Sequence, residues 1–169
     1  MSTHDHLRPL PPPLVWLQHS LEALILLGGI GMILIVFGNA LSRLILDIDM
    51  ASSLELGTFL MLWVTFLGGA VAEARGAHLR VRELVNQLPH APRRVVLAAV
   101  DLIVIGVLTS LVWIGVGIAE SNWEQQTSVL YWPLGLMYTC IPVGSGFTLV
   151  FALWHIWVSW SEDARPAGA

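Results

Sequence analysis

The sequence predicts an all-α integral membrane protein: four transmembrane helices, plus a short amphipathic interfacial helix between the second and third. Three observations lead there. Of 169 residues, 56% are hydrophobic and 12% charged, with mean hydropathy +0.73, whereas a soluble domain carries charge on about a quarter of its residues. The uncharged stretches match the roughly 20 residues that cross a hydrocarbon core. The arginines crowd into alternate connections, as the positive-inside rule requires of a multi-span chain. The whole chain, 1–169, reads as a single membrane domain.

The leader, residues 1–13, carries one arginine and a proline cluster. The apolar run after it is too long for a typical signal-peptide core, so the segment reads as a retained span despite the small residues at Gly38-Asn39-Ala40. The first uncharged run, 23–42, predicts a span over approximately 21–43. The second, 56–72, is framed by Glu55 and Glu73 and predicts a span over 54–75. The third, 102–119, lengthens to 95–119 if Asp101 lies inside the helix and predicts a span over approximately 94–119. The fourth run, 125–161, is too long for one straight span and too short for two with a polar turn. Residues 125–132 read as a loop or re-entrant segment, followed by one helix over 133–160 and a tail from Ser161.

Between the second and third spans, Val81, Leu84, Val85 and Leu88 fall on one helical face, while Arg82, Glu83, Asn86 and Gln87 fall elsewhere. This predicts an interfacial helix over 78–88, stopped by Pro89 and Pro92. Arg80 borders its two faces, within reach of the phosphates of membrane lipids. Both termini are placed in the cytoplasm, because Arg8, Arg75, Arg80, Arg82, Arg93, Arg94 and Arg165 then lie inside and only Arg43 outside. Trp16, Trp154, Trp157 and Trp160 on one side, and Trp123, Tyr131 and Trp132 on the other, suit aromatic belts.

Ionisable residues in spans are costly and draw attention to function. Glu55 and Glu73 are 18 residues apart, five turns and about 27 Å, so they share a helix face near opposite membrane surfaces. That separation rules out a proton relay between them. Each is expected to pair with arginine on a neighbouring element, with Arg75, Arg80 and the Arg93/Arg94 pair near Glu73. Asp101 lies two turns beyond Arg94 and is expected to be held by arginine or by a partner subunit. Asn39 suits a hydrogen bond between helices. Gly68, Gly69, Ala72 and Gly76 allow close approach of another helix. Pro142, with Gly144 and Gly146 after it, removes the amide that would bond the Tyr138 carbonyl and predicts a bend.

One cysteine, Cys140, excludes an internal disulfide and any multi-cysteine metal site. No nucleophile, phosphate-loop or metal-ligand spacing occurs, and no basic–aromatic groove suits nucleic acid, so neither an enzyme nor a resident cofactor is expected. His19, His78, His90 and His155 all fall near one membrane surface, and no span carries a central histidine of the kind that holds transmembrane haem. A haem-bearing membrane anchor of a redox enzyme nevertheless stays open as an alternative, with a haem spectrum as its signature. So does a self-sufficient homo-oligomeric channel built on Asp101 and the Pro142 break, which would move solute when reconstituted alone.

Three blocks give the sequence a family resemblance. The first is Glu55, Trp63, Phe66-Leu67-Gly68-Gly69-Ala70 and Arg75-Gly76-Ala77-His78-Leu79-Arg80-Val81. The second is Thr127-Ser128 with Pro133, Tyr138 and Ile141-Pro142-Val143-Gly144. The third is the order of four spans with a basic connection after the second. Together, over most of 21–160, the chain resembles the small membrane subunit (DctQ type) of tripartite ATP-independent periplasmic (TRAP) transporters. Arg82 stands where that family often has an acidic residue. The resemblance implies a non-catalytic scaffold in the bacterial inner membrane. Its partners would be a large multi-span subunit, which carries the substrate and sodium sites, and a periplasmic binding protein delivering an organic acid. It also marks Glu55, Trp63, Gly68, Gly69, Glu73, Arg75, His78, Arg80, Asp101, Pro142 and Gly144 as subunit-interface or structural candidates.

Overall fold

A computed structural model describes residues 10–76 and 90–163. The expected interfacial helix over 78–88, with His78 and Arg80, lies outside the described residues. The described chain is helical, with four helices long and apolar enough to cross a membrane.

Helix α1, Pro12–Leu46, is 35 residues long and begins nine residues before the expected span. Its first turn contains Pro12 and Pro13. Proline there has its φ already set and lacks only an amide that would find no partner in a helix's first turn. The helix stops where Asp47 turns left-handed, at φ 55°. Helix α2, Ser52–Ala74, ends at Arg75 and at Gly76 with φ 82°, whose amide donates to the Glu73 carbonyl at 2.8 Å. Glycine suits that position because it has no Cβ to clash. Helix α3, His90–Ser121, takes Pro92 into its first turn, so this proline opens a helix and costs no backbone bond.

Residues 122–133 fold as a tight hairpin. The Thr127 amide donates to the Trp132 carbonyl at 2.9 Å and the Leu134 amide to the Gln125 carbonyl at 2.7 Å. Tyr131 makes the reversal at φ 55°. Helix α4, Leu134–Tyr138, and helix α5, Cys140–Asp163, are two parts of one span, Leu134–Ser161, interrupted at Thr139. The interruption sits three residues before Pro142, where the Tyr138 carbonyl loses its acceptor role toward an amide and must clear the proline ring.

The spans pack as a row, not as a closed bundle: α1 against α2, α2 against α5, and α5 against α3. Glycines set the close approaches. A Cβ on Gly144 would lie 2.6 Å from the Phe66 Cβ and 2.9 Å from its backbone, fixing α5 on α2. A Cβ on Gly115 would lie 2.8 Å from the Pro142 ring, fixing α3 on α5. The core is small and lies toward the end carrying the chain termini, where Leu21, Leu67, Ala70, Val71, Ala74 and Phe151 meet. Elsewhere the row has two broad apolar faces. Only 6% of the apolar window of α1 is buried, against 33% of that of the α4–α5 span. Surfaces of this kind require lipid or another protein as their solvent.

Candidate functional site

The charged residues of the spans, with Asn39, gather at the two ends of the row, where they fasten neighbouring elements; the mid-span hydroxyls of Thr65, Ser110 and Thr148 donate to carbonyls of their own helices. At the end carrying the α1–α2 turn and the 122–133 hairpin, here the loop end, Glu55 stands in the first turn of α2. One carboxylate oxygen accepts the Val129 amide at 2.8 Å and the other accepts the Leu130 amide at 2.9 Å. The Thr127 hydroxyl and the Ser128 amide also face this carboxylate. The same hydroxyl accepts the Trp132 amide at 3.1 Å, and the Trp132 ring meets Phe59 of α2 edge-on at 5.8 Å. Glu55 therefore holds the tip of the hairpin by its backbone, in place of the arginine expected from the sequence. A carboxylate accepting amides in this way forms charge-assisted bonds, stronger than neutral ones.

Asn39 does the equivalent for the α1–α2 turn. Its carbonyl oxygen accepts the Met50 amide at 2.8 Å and its amide donates to Asp49 at 3.3 Å. The expected bond between two helices is thus a bond from a helix to its own returning loop. The reason is that α1 runs on to Leu46 and the turn folds back alongside it.

At the terminal end, one polar contact bridges each neighbouring pair of the row. Between α1 and α2, the Arg75 guanidinium donates to Glu22 at 3.0 and 3.3 Å, and Gln18 donates to the same oxygen at 2.7 Å. Residues two apart on a helix do not face each other, so Arg75 reaches across to α1 while Glu73 turns toward α5. Glu73 is 3% exposed, and its carboxylate lies 3.7 Å from Nδ1 of His155. Between α5 and α3, the Trp160 indole donates to Asp101 at 3.2 Å. The expected partners of Glu73 and Asp101 among Arg80, Arg93 and Arg94 fall on residues outside those whose side chains are described.

Of the remaining candidates, Gly144 and Pro142 sit in the helix contacts already given. Gly68 and Gly69 lie on the opposite side of α2, where an added Cβ would meet no atom within 4 Å. They continue an exposed stripe through Leu54, Thr58, Met61, Thr65 and Ala72. Trp63 lies on the other face, lining an apolar hollow between α1, α2 and α5 with Leu21, Gly28, Leu60 and Phe147. Its indole nitrogen is buried and has no hydrogen-bond partner among the described residues. Cys140 is buried and its sulfur is free. Among the described residues no group of three or more histidine, cysteine, aspartate or glutamate side chains is placed to hold a metal ion.

Two of the sequence blocks are thus halves of one arrangement. Glu55 and the segment from Thr127 to Pro133 form a clamp, and neither makes chemical sense without the other. Sequence reasoning missed Glu22, Gln18 and His155 as partners. Glu22 carried a signal as an acid at the second residue of the expected first span, and His155 as a histidine near the same membrane surface.

No curated protein sequence matched the chain. A family model described as "Tripartite ATP-independent periplasmic transporters, DctQ component" matches residues 32–162. That region holds the Glu55 clamp, the glycine contacts of α2 with α5 and α5 with α3, and the Glu73 and Asp101 bridges. The chain therefore belongs to the DctQ family and is a multi-pass membrane component of a tripartite ATP-independent periplasmic transporter.

Proposed function

We propose that the chain is the small, non-catalytic scaffold subunit of a sodium-driven importer of an organic acid such as a dicarboxylate or sialic acid. It works in the bacterial inner membrane with a large multi-span subunit and a periplasmic binding protein, and both its termini are cytoplasmic. What supports the reading is the distribution of polar contacts. Each neighbouring pair of the row is bridged at the terminal end, and the loops are clamped at the other. Between those ends α2 carries no charged side chain from residue 56 to residue 72. A transport pathway needs polar or ionisable groups at membrane depth, whereas a brace needs fixed ends and broad faces for a partner. The arginine distribution supports the orientation.

Reconstitution tests this. Vesicles holding this chain alone are expected to take up no organic acid. Vesicles holding it with the large subunit, supplied with the binding protein, are expected to take up substrate only under an inward sodium gradient. Uptake by this chain alone would move the transport site into it and end the scaffold reading.

A further inference from the structure

The hairpin of residues 122–133 lies at the membrane boundary. The charge-free part of α2 runs between Glu55 and Glu73, five turns or about 27 Å, close to the roughly 30 Å of a hydrocarbon core. Glu55 therefore marks the level at which lipid tails end. Helices α2 and α5 both run from the loop end to the terminal end, with Gly144 seated on Phe66. Carried back along both helices from that contact, the Glu55 level falls near Pro133, at the base of the hairpin. The tip sits on Glu55 itself, through the Val129 and Leu130 amides. Base and tip thus share one level, and the hairpin lies along the membrane surface instead of standing into water.

Its side chains and its hydrogen bonds suit that place. Residues 125–133 carry no charge. At the tip Val129 is 40%, Tyr131 70% and Trp132 37% exposed. The Tyr131 ring is not a demand of the turn, because glycine takes a φ of 55° with less strain. Tyrosine and tryptophan, each an apolar ring with a polar tip, are the residues that settle among lipid headgroups. The backbone is prepared as well. The amides of Thr127, Val129, Leu130 and Trp132 all meet acceptors within the chain, and the Ser128 amide faces the Glu55 carboxylate. Bulk water would supply such acceptors, and so would a protein neighbour. Lipid tails supply none, so a loop laid against them must bring its own. The carbonyls of the turn need only the wet headgroup layer above.

We propose that the hairpin tip, residues 129–132, seats in the headgroup layer of the leaflet at the loop end, with Tyr131 and Trp132 as its lipid anchors. Glu55 makes the seat possible by holding the amides of the tip, and the packing of Trp132 on Phe59 ties it to α2. The partner is a phospholipid surface, and the seat holds whether or not the chain works in a transporter.

The test uses membranes holding the complete transporter and, separately, the chain alone in phospholipid nanodiscs. Tyr131 is replaced by the photo-crosslinker benzoylphenylalanine, which keeps an aromatic ring at the tip, and adducts are identified by mass. Phospholipid adducts are expected in both. Adducts only with the large subunit or the binding protein in the transporter, or none with lipid in nanodiscs, overturn the proposal. In parallel, Val129→Cys keeps both rings, against a background in which Cys140 is buried. Its labelling by a membrane-impermeant maleimide in nanodiscs is expected to be at least about tenfold slower than that of Glu124→Cys at the exposed base. Equal rates place the tip in water and overturn the seat. Adding Glu55→Ala is expected to remove most of that difference; a tip that stays protected without the carboxylate refutes the role given to Glu55.

Discussion

Replacing Gly144 by alanine asks how tightly the row is built. The new methyl would lie 2.6 Å from the Phe66 Cβ and 2.9 Å from the Phe66 carbonyl carbon and oxygen, whereas ordinary carbon contacts begin near about 3.5 Å. Two of those three atoms are backbone, so no change of rotamer relieves the clash, and α5 must move off α2 by most of an ångström. Overpacking of this kind costs roughly 1–3 kcal/mol. Against it stands the gain of about 0.5–1 kcal/mol from replacing a helical glycine by alanine. The balance is a net loss of about 1–2 kcal/mol, centred on the contact that joins the two halves of the row. Gly69→Ala is the matched control. It has the same chemistry on the same pair of helices, but its methyl meets nothing within 4 Å, so only the propensity gain applies. In the chain purified alone, thermal unfolding monitored by tryptophan fluorescence is expected to shift down for Gly144→Ala and stay level or rise slightly for Gly69→Ala. Equal stabilities for the two variants would refute the glycine-set packing. In the assembled transporter the control would become informative in a second way: a partner helix packed on the Gly68/Gly69 face would make Gly69→Ala costly there alone.

Three further outcomes follow from the polar contacts. Glu55→Ala leaves the Val129 and Leu130 amides without their acceptor. Hydrogen exchange at these amides is expected to speed up by about tenfold or more, with Glu55→Gln intermediate; unchanged exchange would remove the clamp. Thr127→Val keeps the shape of this buried side chain but removes the hydroxyl that accepts the Trp132 amide, a cost of about 0.5–1.5 kcal/mol to be read from thermal unfolding. Glu22 and Arg75 form a pair whose guanidinium is 66% exposed. A double-mutant cycle with Glu22→Ala and Arg75→Ala is therefore expected to give a coupling under about 1 kcal/mol, and a larger value would mean that the pair is shielded from water in the membrane.

The four spans were legible because each coincides with a charge-free run, and a charge in hydrocarbon is expensive enough to leave that mark. The ends of α1 were not. Pro12 and Pro13 were read as part of the leader, although proline suits the first helical positions, and Arg43 closed the uncharged run that the helix passes on its way to Leu46. The partner of Glu55 was illegible for a different reason. It is a pair of backbone amides 74 and 75 residues away, and amides carry no sequence identity. Arg75 was placed beside Glu73 because they are close in the chain, but on a helix two residues apart means opposite directions. The small-residue spacing at Gly68, Gly69, Ala72 and Gly76 signalled close approach without saying to what, and Gly144 was read only beside the Pro142 bend. Gly144 turns out to serve the fold, while Gly68 and Gly69 face outward. The row arrangement had no sequence signature, since helices that are apolar all round do not show which side packs.

The account stands on this chain being one fixed member of a larger membrane assembly. Affinity purification of the tagged chain from native membranes in mild detergent, with copurifying proteins identified by mass spectrometry, tests that directly. The account predicts a large multi-span membrane protein in near-equal amount. Recovery of the chain alone, or together with a flavin or iron–sulfur subunit, would contradict it.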